Sequence, residues 1–148
     1  MPEFSYDKGR ISESLQYVLK EMEEFESDYS KKTWSDYHSD KKLQKLIDRT
    51  VENILTALIE ICGTVLTQEG VSCESYSDVL KKAGQLFGFS DDEQGALAKL
   101  AIQRNRLAHR YLNFRWQAMK FYSDNKTLIQ KLVSLILEME VKKQEGNS

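Results

Sequence analysis

A chain of 148 residues, 41% hydrophobic and 30% charged, has room for one domain with one core, and its balance is that of a globular protein rather than a disordered one. Pro occurs once, at Pro2, and Gly seven times, which is sparse turn chemistry for a sheet-rich domain of this size and leans the fold towards all-α. A net charge of −2 argues against a general nucleic-acid binder, and Cys62 and Cys73 fit neither a paired metal spacing nor a disulfide framework.

The first residues, Met1 to Asp7, have neither a basic start nor an apolar stretch behind it, so no signal peptide is expected. Ile11, Leu15, Val18, Leu19, Met22 and Phe25 recur at helical spacing and predict a helix over about 8–28. The polar, aromatic-dotted segment from Ser27 to Asp40 reads as a loop, and His38 within it is assigned no role. A long stripe from Leu43 through Ile47, Val51, Leu55, Leu58 and Cys62 to Leu66 predicts a second helix ending before Gly70. At 1.5 Å per residue it would be about 40 Å long, the spine of the domain. Gly63 inside it costs about 1 kcal/mol relative to Ala, and Cys62 on its apolar face reads as a buried free thiol. Its most apolar window, Ile54 to Leu66, carries Glu60 and is too short to span a bilayer, so a cytoplasmic protein without membrane contact is expected.

Tyr76, Val79, Leu80, Ala83, Leu86 and Phe87 predict a short third helix, stopped by Gly88 in a left-handed conformation. Ser90-Asp91-Asp92-Glu93 is a capping box, with Ser90 at the N-cap, and it opens a fourth helix running through Leu97, Leu100 and Arg104 towards Tyr111. A closing helix carries Leu128, Ile129, Leu132, Val133, Ile136, Leu137 and Met139. It begins either near Arg115 or only after Ser123-Asp124-Asn125, three poor helix formers. The expected whole is a single domain over 1–148, an up-and-down bundle of four main helices plus the short third one, with its core in about 8–141 and a disordered tail over 142–148.

Charge is unevenly spread. From Gln94 to Ser123 there is no Asp or Glu, while Lys99, Arg104, Arg106, Arg110, Arg115 and Lys120 give that window +6 and leave −8 elsewhere. Such a local field attracts anions such as phosphates, although a solvated basic face is the plainer account. Within the window stands Arg104-Asn105-Arg106-Leu107-Ala108-His109-Arg110-Tyr111. Histidine titrates near neutral pH and can move a proton in either direction. Arginine is always charged and offers a planar fork for phosphate oxygens. On an unbroken helix Arg104 and His109 stand roughly 140° apart, whereas Asn105 and His109 share a face at i and i+4. Glycine-rich phosphate loops, paired histidines at metal spacing and a nucleophile-elbow serine are not seen, so neither a metal nor a cofactor is expected.

The pattern Arg, four residues, His, one residue, Tyr resembles that of HEPN domains, particularly the HepT-like ribonuclease toxins of prokaryotes. The resemblance covers about 8–141 and is strongest from Val71 to Leu112, where Ser75-Tyr76-Ser77-Asp78 precedes the short helix; Gln103 departs from the family's small residue before Arg-Asn. It implies a HEPN-like bundle that pairs as a two-fold homodimer, so that two facing motifs make one composite cleft. It implies a metal-independent endoribonuclease, the toxin of a toxin–antitoxin system, with RNA as substrate, Arg104 and His109 catalytic, and Asn105, Arg106 and Arg110 supporting or holding RNA. It further implies that Tyr111 receives AMP from a nucleotidyltransferase (MNT) antitoxin; the plainer role for Tyr111 is an aromatic anchoring the helix end. Phe114, Trp116, Phe121 and Tyr122 could stack bases but read better as core or dimer contacts. The rival function keeps fold and motif: a non-catalytic HEPN protein that binds nucleotide or assembles with a nucleotidyltransferase.

Overall fold

The computed structural model describes residues 8–146, in which seven helices and no strand occur. In chain order they are α1 (Lys8–Asp28), α2 (Trp34–Ser39), α3 (Lys41–Gln68), α4 (Tyr76–Leu86), α5 (Asp91–Arg106), α6 (Leu112–Asp124) and α7 (Lys126–Gly146). The first seven residues, on which the reading of a missing signal peptide fell, lie outside the described residues, as do residues 147 and 148.

Four long helices close on one another in a ring, α1 against α3, α3 against α5, α5 against α7 and α7 against α1. The expected stripes supply the core: Ile11, Leu15, Val18 and Phe25 from α1, Ile47, Val51, Leu55 and Leu58 from α3, Leu97 and Leu100 from α5, Ile129, Leu132, Val133 and Ile136 from α7. Leu19 and Leu46 belong to the same stripes by spacing but are exposed. Each lies at the solvent edge of its stripe, next to a buried residue, Val18 or Ile47, from which it points about 100° away. Cys62 is fully buried, and burial pushes its thiol up to about 12. By length and composition α3 could cross a membrane, yet 67% of that apolar window is buried inside the bundle, as a core helix requires.

The predicted helix ends hold where side chains set them. Ser90 accepts the Glu93 amide at 3.1 Å while the Glu93 carboxylate accepts the Ser90 amide at 2.9 Å, completing the capping box. Gly88 has φ +78°, and the Phe89 amide bonds back to the Gly84 carbonyl at 2.9 Å, so α4 ends in a Schellman turn. Gly84 has a second use that its sequence context did not show: a Cβ there would lie 2.9 Å from Leu97 Cδ1, so its absence lets α4 press against α5.

Three expectations are corrected. The loop of residues 27–40 contains α2, started by a capping box in which Thr33 and Asp36 exchange bonds at 3.2 and 3.0 Å. The fourth helix stops at Arg106 instead of running to Tyr111, and a separate helix, α6, follows it; the closing helix, α7, begins after Asn125, the later of its two expected starts. The tail expected from Lys142 is helical as far as Gly146. The bundle therefore carries α2 and α6 in addition to the short α4.

These two extra helices are fastened to α3 by one polar network. Tyr37 is fully buried, and its hydroxyl donates to Asp48 Oδ1 at 2.7 Å. Arg115 Nη1 donates to Asp48 Oδ2 at 2.9 Å, joining α6 to the same carboxylate. Burial raises the Asp48 carboxyl above its ordinary value, outweighing the lowering by the Tyr37 hydroxyl and the Arg115 charge. Removing one partner of such a group leaves the others desolvated and unmatched. Asp48→Ala is therefore expected to cost about 2–3 kcal/mol, lowering the melting temperature by roughly 4–12 °C for a domain of this size. A thermal melt followed by circular dichroism measures it, and an unchanged midpoint would show that the network holds nothing in place.

Candidate functional site

The sequence motif spans the corner where α5 turns into α6. Gln103 and Leu107 are buried, so the last turn of α5 is held against the core from within. Past Arg106 the ladder gives way to turn bonds, Leu107 N–H to the Arg104 carbonyl at 3.2 Å and His109 N–H to the Arg106 carbonyl at 3.1 Å. Tyr111, in an extended conformation, is the N-cap of α6 and makes no side-chain capping bond. The helical angles expected between Arg104, Asn105, His109 and Tyr111 therefore apply only as far as Arg106.

Leaving the helix brings His109 and Tyr111 together. Their rings lie 4.9 Å apart at an interplanar angle of 35°, and the Phe114 ring meets His109 edge-on at 4.7 Å. The Tyr111 backbone N–H donates to His109 Nδ1 at 3.1 Å. With Nδ1 occupied as an acceptor, the neutral imidazole carries its proton on Nε2 and offers a donor there. Arg110 lies over the Tyr111 ring at 5.1 Å and donates from Nη2 to the Tyr111 hydroxyl at 3.2 Å. Arg106 lies over Phe114 at 5.5 Å, with Nη1 3.5 Å from Gln117 Oε1. Tyr111 is 52% exposed, so it presents its hydroxyl at the surface and is not packed into the core.

Arg104 faces elsewhere. Its Nε donates to Thr56 Oγ1 of α3 at 2.7 Å, and its guanidinium stands 5.9 Å from the Tyr76 ring. It borders a cavity of about 310 Å³ between α1, α3 and α5, where Tyr17, Glu52, Asn53 and Glu60 also contribute. Arg104 and His109 thus have no neighbour in common among these contacts. Asn105 is exposed on the helix between them. Of the six basic residues in the acid-free window, Arg115 is taken up by Asp48, and Lys99 lies over the Phe121 ring at 4.8 Å. Arg106 and Arg110 remain exposed at the corner itself.

The aromatics beyond the motif divide. Tyr122 is fully buried and meets Phe25 edge-on at 4.9 Å, and Trp116 packs on Tyr37 at 5.2 Å, so both serve the core. Phe114 is exposed beside His109. A second cavity, about 430 Å³, opens here, with Trp34 and His38 of α2 on one side and Arg110 to Phe114 on the other. Reading the sequence missed Trp34 and His38 because α2 itself was missed. The signal was present: Thr33-x-x-Asp36 is the Asp form of a capping box. Among the described residues no group of three or more His, Cys, Asp or Glu could hold a metal ion.

Residues 15–119 match a family whose description is ribonuclease HepT-like. No curated protein matches the chain.

Proposed function

The chain belongs to the ribonuclease HepT-like family of the HEPN superfamily, and from that premise we propose that it is a metal-independent endoribonuclease, the toxin of a toxin–antitoxin pair, working as a homodimer. The observation that carries the reading is the surface corner where half-buried His109 stands with exposed Arg106, Arg110 and Tyr111 in a segment without carboxylates. In the proposed reaction a 2′-hydroxyl gives up its proton and attacks the adjacent phosphorus, the bond to the 5′-oxygen breaks, and that oxygen takes up a proton. The products are a 2′,3′-cyclic phosphate and a 5′-hydroxyl. His109 moves the proton: as the ring stands, neutral with Nδ1 occupied, its Nε2–H offers only a hydrogen bond, so serving as base, or as imidazolium acid, requires Nδ1 to release the Tyr111 amide. Arginine forks neutralise the phosphorane.

One chain does not bring Arg104 to His109, so the reading requires a facing copy whose Arg104 completes the cleft. We expect a two-fold dimer burying at least about 1,000 Å² in total, the floor for a specific interface. Light scattering at micromolar concentration tests this, and a monomer there would exclude the composite site. The same separation within one chain favours the second reading, a HEPN protein that assembles with a nucleotidyltransferase without cutting RNA. Single-stranded RNA incubated with the purified protein in EDTA separates the two. Cyclic-phosphate ends support the ribonuclease; intact RNA, or 5′-phosphate ends that need added magnesium, would defeat it.

A further inference from the structure

We infer that the cavity between α2 and the α5–α6 corner is a nucleobase subsite, which takes one unstacked base of the RNA strand whose phosphate meets Arg110. This rests on the ribonuclease reading and adds to it a determinant of which base is held. The cavity's about 430 Å³ is within the range of small-ligand sites. Its walls combine what a base needs. Trp34, 38% exposed, offers an indole face, with His38 one turn later on the same side and their rings 5.3 Å apart. Across the cavity stand Tyr111 and Phe114, whose rings meet edge-on at 5.9 Å. Asn113 adds an amide with both donors and an acceptor for a base edge. Arg110 supplies the phosphate contact at the same mouth.

The walls are also fixed in place, which a recognition site requires and an incidental surface dent does not. Buried Tyr37 lies between Trp34 and His38 in α2, and its bond to Asp48 anchors that helix to α3. Trp34 is braced further by the edge of Trp116 at 5.8 Å.

The test is binding, kept apart from cleavage. A short end-labelled 2′-O-methyl oligoribonucleotide, which offers no 2′-hydroxyl nucleophile, is titrated by fluorescence anisotropy with the purified protein. A series carrying one abasic position at a time is titrated alongside it. For wild type, one abasic position is expected to weaken binding about tenfold, the scale of losing one base–aromatic stack. In Trp34→Ala the intact strand binds about tenfold more weakly, and the abasic penalty disappears; Trp34→Phe, which keeps a ring, retains most of both. An abasic penalty unchanged in Trp34→Ala, or wild-type affinity in that variant, would overturn the subsite. So would Trp34-dependent binding of free AMP without Trp34-dependent binding of the strand, since the occupant would then be a mononucleotide. Trp34-dependent strand binding by a protein that cuts no RNA keeps the subsite and refutes the ribonuclease. Cleavage by a protein whose strand binding is indifferent to Trp34 refutes the subsite alone.

Discussion

His109→Ala is expected to lower RNA cleavage by about a hundredfold or more, the usual scale for a lost acid–base group, with little change in helical content. The second half of this expectation comes from the position of the ring. His109 has left α5, its imidazole is only partly buried, and its contacts are to Tyr111 and Phe114 at the surface corner. Removing it disturbs no core packing. Arg104→Ala is expected to cost a similar factor for a different reason, the loss of charge on the phosphorane. Arg104 also bonds Thr56 across to α3, so its loss should be accompanied by a small drop in melting temperature. Arg104→Lys tells the two effects apart: it keeps a positive charge but loses the planar fork and the Nε bond. Mixing the inactive His109→Ala and Arg104→Ala proteins gives a further check. If Arg104 of one copy works with His109 of the other, heterodimers keep one intact pair of the two that face each other across the cleft, and regain activity. No recovery after subunit exchange, with dimers still forming, would refute the composite site.

Tyr111→Phe is expected to keep substantial ribonuclease activity and to escape silencing by a nucleotidyltransferase partner supplied with ATP. On an unbroken helix Tyr111 would point about 200° from His109. The end of α5 at Arg106 removes that obstacle, since the two rings lie 4.9 Å apart and Tyr111 is half exposed. In the proposed transfer the Tyr111 oxygen attacks the α-phosphorus of ATP. Its proton is lost, pyrophosphate leaves, and a phosphodiester to AMP remains. That phosphate would sit where Arg110 already donates to the Tyr111 oxygen at 3.2 Å, held by the charge that substrate phosphate would use. Intact mass spectrometry reads the result: AMP-sized increments on the wild type and none on Tyr111→Phe. A variant that is still modified and still silenced would return Tyr111 to the role of an aromatic anchor at the start of α6.

Much of the fold was legible because it is written in local chemistry. The stripes of α1, α3 and α7 repeat at helical spacing over many turns, Gly88 must supply a positive φ, and Ser90 with Glu93 satisfies its own helix start whatever surrounds it. The motif from Arg104 to Tyr111 was legible too, since residue types and intervals need no structure to be read. What the sequence could not show is where those side chains stand. No Gly or Pro marks the end of α5, and Tyr111 caps α6 without a side-chain bond. The break there goes with packing: Leu107 is buried in the core, and Arg115 of α6 is held by Asp48 of α3. The same Asp48 holds Tyr37 and with it α2, a helix of six residues too short to form by propensity alone. So the identity of the chemical groups was set by the chain order. The meeting of His109 with Tyr111, the separation of Arg104 from both, and the arrival of Trp34 across from Tyr111 belong to the tertiary structure, in which one buried carboxylate ties α2 and α6 to α3 through partners 11 and 67 residues away.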